Sequence, residues 1–313
     1  MTQISGRVQN MTVKWFHKNP VHSNQHCLYC GVLVGDGATV TSDKEHLIAR
    51  NFVPTGSLGN DSFNFIFRAC CECNGKKADF ERHVSSITLV NSPARATDER
   101  ADESARRKAI KDFHPDKKGV LVGQAINNHS VEFNHGGLQM KFSGTSPPQV
   151  NPYYAEQLAS YHIQALFSLA TTEDYLVPEK MQFLPISQFR YFGHYVCHDW
   201  GHPHLLEIAK RVDDWPCFVN VATAGGYFKA ILKIHDGVAF WALEWNHHLR
   251  VVGAITRESE SLELFDGLPD LEWELLPDGS GRCRCQTPLL SETEDRLFSG
   301  DVVAHDINNN DLT

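Results

Sequence analysis

Cys27-Leu28-Tyr29-Cys30 and Cys70-Cys71-Glu72-Cys73-Asn74-Gly75-Lys76-Lys77 frame the stretch whose reading decides the fold of the N-terminal part of this chain. Each contains a C-x-x-C pair, the spacing with which one knuckle presents two thiolates to a tetrahedral ion. Two such pairs supply four ligands, Cys27, Cys30, Cys70 and Cys73, and close the shell, so the expected ion is a structural zinc. Cys71 is the odd thiol and is expected to pack.

Around the pairs, Gly31, Gly35 and Gly37 break up short apolar pieces, as in a loop-rich knuckle. Ala38 to Thr41 reads as a short strand, and the aromatic, β-branched run Phe63 to Phe67 as a second. Pro54, Gly56, Gly59 and Asn60 form the loop between them. Asn74 to about Val84 reads as a short helix, with Ala78 and Phe80 available for packing. The order is strand, loop, strand, helix.

Glu45-His46 lies inside the span bracketed by the cysteines, Asn64 follows, and Asn74 comes directly after the last thiol. With these elements in this order, residues 22–84 resemble the HNH, or ββα-metal, endonuclease family. The resemblance implies hydrolysis of DNA phosphodiester bonds, with RNA left open as substrate. His46 would be the general base, since an imidazole titrates near working pH. Glu45 and Asn74 would hold a catalytic Mg²⁺ or Mn²⁺, whose preference for hard oxygen suits a carboxylate and an amide carbonyl. Asn64 would orient the imidazole and fix its tautomer. Two features depart from the family pattern: Glu45 stands where Asp is commoner, and the run from Asn64 to Cys70 is a residue longer, which brings Asn60 or a bulge into consideration. In a regular strand Glu45 and His46 point to opposite faces, so both can serve one ion only if the strand ends or twists there. Lys77 reads equally as a phosphate contact or a solvated helix lysine. The rival to a nuclease is a catalytically inactive, zinc-stabilised nucleic-acid-binding or regulatory protein.

At 313 residues the chain is long enough for two domains, read as 1–95, the zinc-braced nuclease module, and 96–313. The formal net charge is −9, but residues 1–95 carry +3, which leaves −12 on the remainder. That asymmetry confines the expected nucleic-acid contact to the N-terminal module. Residues 97–113 read as a solvated connecting helix whose charges suit its dipole. Beyond it come strands at 119–125, 129–133 and 138–142, a turn at Pro147-Pro148, a helix from Tyr153 to Leu169 and another from Leu205 to Val212. An antiparallel meander then runs through 217–222, 227–234, 238–245 and 249–255, with turns at Gly225-Gly226, Asp236-Gly237 and Asn246-His247-His248. Asn308 to Thr313 reads as a frayed tail.

The expected fold class is therefore α+β, a ββα-metal module followed by a mixed domain of specificity, sensing or assembly, through which a homo-oligomer or regulatory partner would bind. His194, Cys197, His198, His202 and His204 gather around Trp200 as a second metal site, a binding surface or ordinary structure, and Cys283-Arg284-Cys285 as alternate faces of a hairpin strand. No phosphate-binding or dinucleotide glycine motif occurs, which excludes ATP-driven and nicotinamide chemistry from the reading. The first twenty residues lack a continuous apolar stretch and no later segment reaches membrane-spanning length, so a cytoplasmic protein is expected, with the cysteines reduced.

Overall fold

A computed structural model describes residues 17–59, 62–135, 138–172, 177–181, 183–186, 188–256, 263–275, 282–284, 287, 290–291 and 293–302. The fold is mixed α+β with antiparallel sheets. A hairpin of β1 (Ser42–His46) and β2 (Ile66–Cys70) runs straight into α1 (Cys71–Val90), and α2 (Glu99–Lys111) packs beside it. The hairpin of β3 (Asn127–His135) and β4 (Leu138–Ser146) follows, then α3 (Pro152–Ala170). A five-stranded sheet completes the molecule in the order β5-β9-β8-β7-β6. Its strands are β5 (Gln188–Val196), β6 (Cys217–Thr223), β7 (Phe228–His235), β8 (Val238–Trp245) and β9 (Leu249–Thr256), with α4 (Pro203–Arg211) between the first two. A small pair, β10 (Trp273–Leu275) and β11 (Arg282–Arg284), lies near the end. No helix of the described residues is long and apolar enough to cross a membrane.

Both hairpin strands lie further along the chain than the apolar pattern predicts. The run Phe63 to Phe65 is core loop rather than strand, and its side chains are buried without sheet pairing. β1 instead forms from Ser42 to His46, a polar segment whose register against β2 sets Glu45 opposite Phe67. α1 also starts earlier and runs longer than the stretch from Asn74 to Val84. Cys70 caps it, its sulfur accepting from the Cys73 amide at 3.5 Å. The first half of its buried stripe is Cys73, Lys77 and Glu81, at helical spacing but polar, which hides the helix from an apolar-period reading. Ala78, expected to pack, is exposed. Of the expected strand 119–125, only a bridge between Phe113 and Leu121 and a short 3-10 turn form. Asn60, Cys285 and the tail from Asn308 lie outside the described residues.

The central strands β8 and β9 are buried on nearly every residue because the sheet is covered on both faces. One face, with Trp241, Leu243, Trp245 and Val251, packs on α3 and the cysteine-knuckle region in one continuous apolar cluster. The other, with Ile231, Phe240, Val252 and Ala254, packs on α4, Leu264 and Leu297. The spans 1–95 and 96–313 thus share a core: Phe52 stacks edge-on against Trp245 and His162, and the Thr223 hydroxyl donates to the Phe63 carbonyl at 2.9 Å. At the β8–β9 turn, Asn246 and His247 adopt φ of 55° and 52°, in the left-handed region that is uncommon outside glycine. The Asn246 amide anchors this turn to the N-terminal part, donating to the Phe52 carbonyl at 3.0 Å and the Thr88 hydroxyl at 2.9 Å.

Candidate metal centre and the His46 loop

The chain reverses tightly after Cys27, whose carbonyl accepts from the Gly31 amide at 2.8 Å, and Gly31 takes a φ of 75° that favours glycine. This brings Cys30 back toward the end of β2 and the first turn of α1. The sulfurs of Cys27, Cys30, Cys70 and Cys73 all lie within 4.8 Å of one another, and those of Cys30 and Cys70 are 3.8 Å apart. A tetrahedral zinc with sulfur ligands at about 2.3 Å requires sulfur–sulfur edges of about 3.8 Å, so the four residues fit that ion. The Cys27 thiol is pushed down to about 5, chiefly by its contact with the Cys73 thiol and also by backbone donors, against burial. Burial pushes Cys30 up to about 11. An ion held here would bind the four sulfurs as thiolates and release their protons. Cys71 does not pack; it is exposed, outside the cluster.

His46 ends β1 opposite Ile66, at the end of the hairpin away from the Cys70 end, and is half-buried. Burial, reinforced by Lys44, Arg50 and Lys77, pushes its pKa down to about 4, so the ring is neutral at pH 7. Nε2 is buried with no hydrogen-bond partner among the described residues. The backbone around it is fixed at each step. Lys77 Nζ donates to the His46 carbonyl at 3.0 Å, and the Leu47 amide donates to the Phe65 carbonyl at 2.8 Å. The Ile48 amide donates to Asn64 Oδ1 at 3.1 Å while Asn64 Nδ2 donates to the Ile48 carbonyl at 2.9 Å. The Ala49 amide donates to Glu81 Oε1 at 3.1 Å. Asn64 therefore braces the loop two residues past His46 and does not hold the imidazole itself.

Lys77 is neither solvated nor placed to touch phosphate. It is completely buried, with Nζ 2.7 Å from Glu45 Oε1 and 2.8 Å from Glu81 Oε1. Burial opposes its charge, but attraction to the two carboxylates holds its pKa above the ordinary lysine value. Tyr29, inside the cysteine knuckle, donates to the same Glu45 oxygen at 3.1 Å, and His162 of α3 approaches Glu81 at 3.7 Å. Glu45 is thus turned into the interior, 5% exposed, and its carboxylate is committed to Lys77 and Tyr29. The strand alternation that puts Glu45 and His46 on opposite faces holds to the last residue of β1. Asn74 sits half-buried on the first turn of α1, its amide 3.5 Å from the Lys44 carbonyl and on the same helix face as Lys77. Glu45 and Asn74 as they stand do not fit the catalytic divalent site that the motif implies.

No family model, curated protein or solved structure matches the chain. The geometry alone therefore carries the reading. Tyr29, Glu81 and His162 belong to this site and were not singled out from the sequence. The i,i+4 spacing of Lys77 and Glu81 was the available signal for one of them, and nothing local marks His162. The residues around Trp200 do not converge on an ion: among the described residues the four cysteines are the single such group. Cys197 instead pairs with buried His248, 3.9 Å from its Nδ1, and His202 caps α4.

Proposed function

We propose that this chain is a zinc-braced phosphodiester hydrolase of the HNH kind, acting on DNA, with His46 as the base that activates the attacking water. The observation that carries the reading is the loop from Glu45 to Ala49, in which every residue is fixed by a buried partner while the neutral His46 imidazole is left without one. A ring held in one geometry with Nε2 free of protein partners suits proton abstraction from water, and on this reading the negative charge of the bound phosphate raises the basicity that burial lowers. Cys27, Cys30, Cys70 and Cys73 would hold a structural zinc that fastens the hairpin to α1 and, with all four ligands supplied by the chain, would take no part in the reaction. The deciding experiment is cleavage of supercoiled plasmid with added Mg²⁺ or Mn²⁺ by the full chain and by His46→Ala. The expected result is divalent-dependent nicking that His46→Ala abolishes with the fold intact, and equal nicking by a folded, pure variant would remove His46 from the chemistry.

A second reading, a zinc-stabilised nucleic-acid-binding protein without catalysis, is favoured by the inward commitment of Glu45 to Lys77, which leaves the motif's one carboxylate off the outer face. DNA binding with no cleavage at any divalent concentration is the outcome that selects it.

A further inference from the structure

α1 and α2 pack side by side but do not close on each other. Between them, and against the loop that follows His46, lies a cavity of about 450 Å³, within the usual size range of small-ligand sites. Ala49, three residues past His46, and Asn51 form its edge, so it adjoins the candidate site. Four cations line it, Arg82, Arg107, Lys108 and Lys111, against two acids. Of the acids, Glu81 shares Lys77 with Glu45, and Asp112 accepts a short hydrogen bond from Ser86, so the cations of the lining exceed its acids by two.

The cations are poorly compensated. Lys108 Nζ is mostly withdrawn from water, yet its carboxylate partner Asp112 is 3.5 Å away and its close contact is a neutral hydroxyl, Ser85 Oγ at 2.8 Å. Burial pushes its pKa down, the expected mark of a cation short of counter-charge. Arg107 reaches Glu103 at 3.8 Å, and Glu103 is largely in solvent. Lys111 has no ion pair among the described residues. Arg82 alone is closely paired, with exposed Asp79. This concentration of positive charge stands out in a chain of net charge −9. The hydroxyls of Ser104 and Thr55 add neutral donors of the kind that complete a phosphate shell.

We infer that the cavity between α1 and α2 is a phosphate-binding site that seats a nucleotide unit, with Arg107, Lys108 and Lys111 as its cationic wall. The residues of α2 thereby have a role beyond a solvated connector. A strand whose phosphate rests there would pass along the loop that carries His46. The site rests on the nucleic-acid reading for its choice of probe, and not on catalysis.

The test uses the full zinc-loaded chain without added divalent ion, so that nothing is cleaved. The probes are a fluorescent DNA duplex, followed by anisotropy over a salt series, and a deoxynucleoside 5′-monophosphate, followed by calorimetry. Arg107→Ala/Lys111→Ala should weaken the bound probe by about tenfold or more, and for the duplex should lower the slope of log affinity against log salt by about 1 to 2, as expected for two lost phosphate contacts. Lys111→Glu provides a second, single-site variant, and Lys210→Ala on α4 should bind as the parent does. Duplex binding alone identifies a strand as the occupant. Mononucleotide binding that the same variants abolish identifies a free nucleotide. A parent chain that binds neither probe, or folded variants that bind as the parent does, overturns the site. Because His46→Ala cleavage is scored separately, loss of the catalytic reading would leave this result standing.

Discussion

Lys77 carries more of the local architecture than any other single residue of the candidate site. It sits between two buried carboxylates and holds the His46 carbonyl, so its removal strands Glu45 and Glu81 in the interior. Breaking a buried ion pair from one side costs about 3–5 kcal/mol, so Lys77→Met is expected to lower stability by that order in urea unfolding. Glu45→Gln, which keeps a hydrogen-bonding group beside a lysine still paired to Glu81, should cost less, and the reverse ranking would contradict this account. The buried histidines set the pH response. Burial pushes His162 and His248 down to about 4, whereas an unfolded imidazole titrates near about 6.5. Between those values the unfolded chain binds protons that the folded chain does not. Stability is thus complete above pH ~6.5 and falls as pH drops toward 4, by up to about 1.4 kcal/mol per pH unit for each ring. Glu244, which burial would raise but His247, Arg250 and Lys229 hold down to about 2, loses its contribution only as pH falls below about 4.5, under the range from pH 8 to 5. Urea midpoints from pH 8 to 5 on zinc-saturated protein measure this, and a flat profile below pH 6.5 would show that these rings are not buried neutral.

At the scale of elements, α1 joins three tasks. Its first turn supplies Cys73 and Asn74, its second turn supplies Lys77, and its third supplies Glu81 to the loop and to α3. The four cysteines are therefore linked mechanically to the His46 loop through Tyr29, which lies between Cys27 and Cys30 and bonds Glu45. Cys73→Ser is expected to lower bound metal from about one ion per chain to little or none in elemental analysis, and to unfasten the start of α1 from the knuckle. Hydrogen exchange should then speed up at the amides of residues 45–49 as well as at the cysteines. Unchanged protection of that loop after complete metal loss would uncouple the two.

The molecule as a whole holds together across the boundary at residue 95. Phe52 and Asn246 join the knuckle region to the β8–β9 turn, and one apolar cluster runs from Cys27 to Ile255. Calorimetry of the zinc-loaded chain is accordingly expected to give one cooperative transition, with calorimetric and van't Hoff enthalpies in agreement. Metal extraction should alter the fluorescence of the sheet tryptophans, since Trp245 packs on Phe52. Two resolved transitions would mean that the shared core does not couple the halves. Far from this region, Arg250 is buried beneath Trp200, 3.7 Å from its ring, and bonds both Glu244 and Asp295. It fastens the segment near Asp295 to the face of the sheet that packs on α4.

The sequence by itself determined what depends on near neighbours and strong spacing. The two C-x-x-C pairs specified the four thiols that converge, because a chelate of that spacing needs little more than a tight turn at each end. The meander was legible because its turns carry Asp236-Gly237 and Asn246, residues that tolerate the left-handed backbone such turns use. Glu45-His46 and Asn64 were picked out by resemblance, but the tertiary structure alone decided where they point. Glu45 turns inward because Lys77, far along the chain, offers it a counter-charge in a dry interior. Asn64 bonds a backbone rather than a ring because the loop doubles back upon it. Short-range patterning also misplaced β1 and the start of α1, since their buried positions are polar groups satisfied by one another across the fold and by partners in the knuckle and on α3. Such partners lie far off in sequence and leave no periodic trace in it, because the energy that fixes them comes from burial and pairing in three dimensions.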